Sequence, residues 1–153
     1  MSEHKVAILM GSPNDRAKVE PAAETLAGFG VQADLHVMSA HRTPAKVAEF
    51  VGGARDAGYS SIIAAAGMAA HLAGACAANT TLPVIGLPLS GGALNGVDAL
   101  YATVQMPRGI PVATVAVDGA VNAALLAVQI LAVTDPGLVD ALAADREARA
   151  AVS

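Results

Sequence analysis

The stretch KVAILMGSPND, residues 5–15, decides the fold. KVAILM is a short apolar run containing β-branched residues, a strand pattern that stops at Gly11. GSPND follows as a polar turn, and from about Arg16 to Gly28 apolar residues recur at helical spacing. Strand, loop and helix in that order make a β-loop-α unit. Pro21 fits the helix poorly, because it has no N–H and its ring crowds the preceding turn. It is expected near the first turn or at a bend in the axis.

The unit repeats along the chain. Strands are expected at 33–38, 61–66, 84–88 and 112–117, and helices at 44–57, 69–78, 97–105 and 120–133. Strands that alternate with helices pair in parallel and carry helices on both faces. The expected fold is therefore α/β: a three-layer, doubly wound, flavodoxin-like domain with a five-stranded parallel sheet over residues 1–134. Residues 135–153 begin DPG and then alternate Leu138 and Leu142 with charges, an additional amphipathic C-terminal helix. Its apolar stripe is expected to dock on a neighbouring subunit.

Composition narrows the function. Charged residues make up 14% of the 153-residue chain against the roughly 25% usual for soluble domains, while apolar residues make up 54%. Such a surface suggests burial between subunits. The net charge of −4, two Phe, two Tyr and no Trp argue against a nucleic-acid surface. The longest apolar run, 120–133, is broken by Asn122 and Gln129, so no membrane span is expected. MSEHK leads straight into the first strand and does not read as a secretory leader, which places the protein in the cytoplasm. The single cysteine, Cys76, lies among small residues and reads as a packed side chain rather than a nucleophile. A small-molecule site is the expectation that remains.

In open α/β sheets, ligands bind beyond the carboxyl ends of the strands. Four loops at that edge carry unusual residues. GSPND offers backbone N–H groups and short oxygens at a helix start, a place for an anion or ribose hydroxyls; Ser12 and Asn14 fit a capped turn equally well, whereas Asp15 carries a charge that a cap alone does not need. It is neither a P-loop nor a GxGxxG turn. SAHRTP, residues 39–44, ends in Thr43 and Pro44, a cap and first-turn proline that start a helix. His41 and Arg42 are surplus to that start: an imidazole gives or takes a proton near neutrality, and a guanidinium presents a fixed fork of donors suited to phosphate. AAAGMAAHLAG, 64–74, sets His71 at the start of a small-residue helix, whose positive end favours a neutral, donating imidazole; a packed histidine fits the same pattern. The fourth loop lies in the segment 88–109, whose glycines mark a close approach and whose Asp98, Gln105 and Arg108 have no evident role. No metal-ligand spacing and no GxSxG elbow occur.

Taken together, GSPND, SAHRTP, AGMAAHLAG, LPVIGLPL, GALNGVDALYATVQMPRGIPVATVAV and NAALLAVQILA resemble, in order and spacing, the bacterial PurE family of purine biosynthesis. The resemblance runs from about Val6 to Leu142. It implies conversion of N5-carboxyaminoimidazole ribonucleotide to 4-carboxyaminoimidazole ribonucleotide, without metal or organic cofactor, in a homo-octamer with sites at subunit junctions. It further implies that His41 is the proton carrier, that His71 lies near the transferred carboxylate, and that Ser12, Asp15, Ser39, Arg42, Gly67 and Leu72 bind the ribonucleotide. In that scheme His41 protonates C4 of the imidazole ring, the carbamate releases CO2 into the closed site, the resulting enamine carbon attacks it, and the same imidazole removes the C4 proton. Holding CO2 beside C4 makes the capture effectively unimolecular.

This chain departs from the family pattern in places. Asn14 stands where a serine is usual, Arg16 where a tryptophan is common, and AAAGMAAHLAG replaces AGAGGAAHLPG. VDGAVNAALL is also slightly shorter than its usual counterpart. Two other readings share this fold: a carboxylase that takes CO2 directly, and a nucleotide-binding module without activity. The retained AAHL argues against the first and His41 against the second.

Overall fold

The computed structural model describes residues 3–153; Met1 and Ser2, part of the stretch on which the leader reading rests, lie outside them. The elements are β1 (Lys5–Met10), a 3-10 turn (Pro13–Asp15), α1 (Arg16–Gly28), β2 (Gln32–Val37), α2 (Pro44–Gly53), β3 (Ser61–Gly67), α3 (Leu72–Ala78), β4 (Val84–Leu89), α4 (Val97–Val104), β5 (Ala113–Thr114), α5 (Ala120–Ala132) and α6 (Pro136–Ala151). The five strands form one sheet in the order β2-β1-β3-β4-β5, every pair parallel. This is the flavodoxin-like doubly wound arrangement expected.

Side-chain alternation in β1 builds both layers at once. Val6, Ile8 and Met10 enter a core with Val19, Leu26, Ala124 and Val128 of α1 and α5. Ala7 and Leu9 point the other way, into a core with Val47, Val51, Leu72 and Cys76 of α2 and α3. Cys76 is fully buried, and burial pushes its thiol up to about 12, so it packs and does not react. Close approach is built in at Gly86 of β4, where a Cβ would lie 2.3 Å from the Thr103 methyl of α4. No helix of the described residues is long and apolar enough to cross a membrane.

Four elements differ from expectation, each for a visible reason. α2 ends at Gly53 instead of Ala57, because Gly58, with φ at +90°, turns the chain and the Tyr59 N–H donates back to the Ala54 carbonyl at 3.1 Å. β5 is two residues instead of six. Pro88 of β4 has no N–H to offer its neighbour, so beyond Thr114 the chain still follows β4, through Val115 N–H to the Gly86 carbonyl and Asp118 N–H to the Pro88 carbonyl, but the ladder is not continuous. α3 starts at Leu72 instead of Ala69, because Ala70 and His71 donate to the carbonyls of Met68 and Ala69 in tight turns. Pro21 sits inside α1, beyond its first turn, since the helix begins at Arg16 directly after the 3-10 turn.

The C-terminal helix packs first on its own chain. Its N-cap Asp135 accepts from the N–H groups of Gly137 and Leu138, and Leu138 is buried in the α1/α5 core with Leu142 against it. The leading part of the stripe expected to meet a neighbouring subunit is thus covered by α5.

Candidate active site

β1 is flanked by β2 on one side and β3 on the other, so the chain leaves β1 and β3 toward opposite faces and opens a crevice at their carboxyl ends. A cavity of about 520 Å³ lies there, within the range of small-molecule sites. Ser12, Asp15, Ser39, His41, Arg42, Gly67, His71 and Leu72, every site residue expected from the sequence, line it. A larger cavity of about 710 Å³ opens at the opposite edge, before β4 and β5, but its lining holds no histidine.

Each loop is held by local bonds that leave its functional groups facing the cavity. In the first loop, the Ser12 hydroxyl accepts from the Asn14 N–H at 3.2 Å and so caps the 3-10 turn. Asp15 takes the N-cap position of α1 yet makes no side-chain capping bond, which leaves its carboxylate to the cavity. Burial raises the pKa of that carboxyl, outweighing a backbone bond at Ser12 and the charges of Lys18 and Arg42. A carboxylate kept partly desolvated and uncapped is poised to accept from a ligand hydroxyl.

In SAHRTP the bonds fall differently from the expected cap. Thr43 occupies the N-cap of α2, but its hydroxyl makes no bond into the helix. It accepts from the Ser39 N–H at 2.8 Å and donates to the Ser39 carbonyl at 3.1 Å, closing the 39–43 turn upon itself. The Ser39 hydroxyl accepts from the Arg42 N–H at 3.1 Å. Arg42 reaches back to the first loop, where one guanidinium nitrogen donates to the Gly11 carbonyl at 2.7 Å. One donor is used, and the remaining face of the fork is available to an anion.

The third loop brings the second histidine to the first. His41 Nε2 and His71 Nδ1 are 2.7 Å apart, with ring centroids 4.8 Å apart at 80°. A bond of that length requires a single hydrogen between the facing nitrogens, so each ring fixes the orientation of the other. Met68, on the same loop, lines the cavity with φ at +49°, in the left-handed region where a side chain is strained.

The fourth loop enters through two of the glycines that mark a close approach, together with Ser90, which the sequence does not single out. Ser90, Gly91 and Gly92 wall the cavity, whereas Asp98, Gln105 and Arg108 do not line it. The available signal was position: SGG comes directly after the carboxyl end of β4, where ligand loops begin.

A flavodoxin-like sheet whose switch point gathers a histidine pair, an arginine with unused guanidinium donors and a carboxylate without a capping bond fits a class: an enzyme acting on a small molecule. Known proteins narrow this further. The family described as AIR carboxylase matches residues 5–151. The chain is 50% identical to the N5-carboxyaminoimidazole ribonucleotide mutase of Pyrococcus abyssi, over 94% of this chain and 82% of that protein. It is 54% identical to the protein of the same name from Escherichia coli K12, over 88% of this chain and 80% of that one. The crystal structure of Treponema denticola PurE superposes with a TM-score of 0.87 at 30% identity, covering 95% of this chain and 91% of that one. The chain belongs to the AIR carboxylase family.

Proposed function

We propose that this protein is an N5-carboxyaminoimidazole ribonucleotide mutase acting in purine biosynthesis, with His41 as proton carrier. The observation that carries the proposal is the pairing of His41 with His71 in a cavity that also gathers Ser12, Asp15 and Arg42. Relatives about half identical over most of their length bear that name.

The reaction consumes one proton when the carbamate releases CO2 and returns one when C4 of the ring is carboxylated. An imidazole that both gives and takes a proton suffices, and no group with net redox or Lewis-acid function is required by the balance. His71 holds the His41 ring in register and lies beside the migrating carboxylate. The free fork of Arg42 takes the phosphate, Asp15 and Ser12 take ribose hydroxyls or phosphate oxygens, and Ser39, Gly67 and Leu72 complete the wall. The walls hold CO2 beside the ring carbon it must join.

The assembly implied by the resemblance is a homo-octamer in the cytoplasm. Support comes from the low charge content and from α4, which exposes Val97, Tyr101 and Val104 on one face. The outer face of α6, where Val139 is exposed, is the part of the tail that meets a neighbour.

The test is turnover. With purified protein and N5-carboxyaminoimidazole ribonucleotide, and neither ATP nor bicarbonate added, the 4-carboxy isomer should accumulate. Carboxylation of aminoimidazole ribonucleotide by CO2 without turnover of the carbamate would reject the reading.

A further inference from the structure

A charged network at the cavity wall is left unused by this mechanism. Lys18, in the first turn of α1, donates to the Ser90 carbonyl at 2.6 Å and to its hydroxyl at 3.0 Å. Asp118, in the turn between β5 and α5, accepts the Ser90 N–H on Oδ1 at 2.9 Å and the Ser90 hydroxyl on Oδ2. All three polar groups of Ser90 are therefore engaged by two side chains of opposite charge from separate elements. Asp118 is set for this by its backbone: φ is +59°, and its N–H donates to the Pro88 carbonyl at 2.9 Å. Burial works to raise the Asp118 pKa, but the two bonds from Ser90 and the charge of Lys18 outweigh it and lower it.

Ser90 is the base of a flap. Gly91 and Gly92 follow with φ of +140° and +69°, line the cavity, and carry no side chain that could anchor them. The flap then returns, since a Cβ on Gly96 would lie 3.2 Å from Ser90 Cα. Leu94 at its tip is 60% exposed. Both ends of the flap thus meet at the one residue that Lys18 and Asp118 grip.

We propose that Lys18 and Asp118 are positioning residues that clasp Ser90 and hold the 90–96 flap as a closed wall, so that CO2 is retained until it is captured. The clasp itself is a matter of geometry, while its role in retention rests on the mutase reading. If the wall loosens, CO2 escapes before capture and aminoimidazole ribonucleotide is released instead of the 4-carboxy product. That outcome balances: the carbamate N–C bond breaks, the one proton that His41 supplies ends on the exocyclic nitrogen, and CO2 leaves.

The test uses Lys18→Met, Asp118→Asn and the rescue variant Lys18→Arg in the full chain. Amide hydrogen exchange without ligand reads the clasp. Exchange over 90–96 should accelerate about tenfold or more in Lys18→Met and Asp118→Asn, as loss of charge-assisted bonds implies, and return toward wild type in Lys18→Arg. The ratio of aminoimidazole ribonucleotide to 4-carboxy product per carbamate consumed reads retention, and should rise in the same two variants and fall back in Lys18→Arg. Unchanged exchange over 90–96 overturns the clasp, and raised exchange with an unchanged product ratio overturns its role in retention. If the wild-type protein does not convert the carbamate at all, it is the mutase reading that fails, and exchange still decides the clasp.

Discussion

His41 Nε2 stands 2.7 Å from His71 Nδ1, although the two residues come from different loops. The contact is between the turn after β2 and the turn after β3, which the strand order places on either side of β1. Neither ring is held this way by its own loop, so His71 orients the His41 ring across the crevice. His71→Ala should lower kcat by on the order of 10²-fold while KM changes much less, the scale of a misplaced catalytic group. Steady-state kinetics on the carbamate checks this, and a change confined to KM would show His71 to be a binding residue only.

Arg42 should separate binding from folding. Arg42→Ala is expected to raise KM by roughly 30- to 1,000-fold, equivalent to about 2–4 kcal/mol for a lost charged pair. The structural loss is smaller, because the bond to the Gly11 carbonyl lies at the exposed rim and is worth about 1 kcal/mol. Kinetics and thermal melting on one preparation measure both, and an unchanged KM would place the phosphate elsewhere.

Asp15 should oppose stability with function. Its folded pKa is raised above the unfolded value by burial, so its contribution to stability is fully present below the unfolded value and is lost as pH rises through the folded one. Asp15→Asn should therefore melt higher than wild type at pH 7, with the gap closing as pH falls toward the ordinary aspartate value of about 3.9. The same variant should bind the ribonucleotide more weakly. Melting curves across pH show the sign directly, and a less stable variant at neutral pH would contradict the desolvation argument.

Met68 is strained and 59% exposed, so its side chain gains little packing for its left-handed backbone. Relief of the backbone cost, roughly 1–2 kcal/mol, exceeds the added chain entropy of glycine at about 0.5–1 kcal/mol. Met68→Gly should stabilise the fold by somewhat under about 1 kcal/mol, or a rise in Tm of about 2 °C. Melting of the purified variant measures it.

The sheet and the histidine loops were legible because periodicity and turn residues report local structure. KVAILM, SIIAAAG and VIGLPL alternate or run apolar as strands covered on both faces must, and the polar residues that neither strand nor helix needs gather at their carboxyl ends. What escaped depended on partners distant in sequence. The truncation of β5 follows from a proline in β4, and the Lys18, Ser90 and Asp118 contacts join residues 72 and 28 positions apart. Thr43 reads as a helix cap in sequence, yet its hydroxyl serves the turn before it, a choice between two local bonds of similar strength. The first turn of α6 lies on its own chain because Leu138 finds α5 within reach.

Proton transfer by His41 is the central claim, and turnover of His41→Asn tests it most directly. With saturating N5-carboxyaminoimidazole ribonucleotide, wild-type protein should form the 4-carboxy isomer, and the variant should bind the ribonucleotide but turn over about 10²- to 10⁴-fold more slowly, the loss expected for a general acid–base group. A variant that converts the carbamate at the wild-type rate would contradict the account.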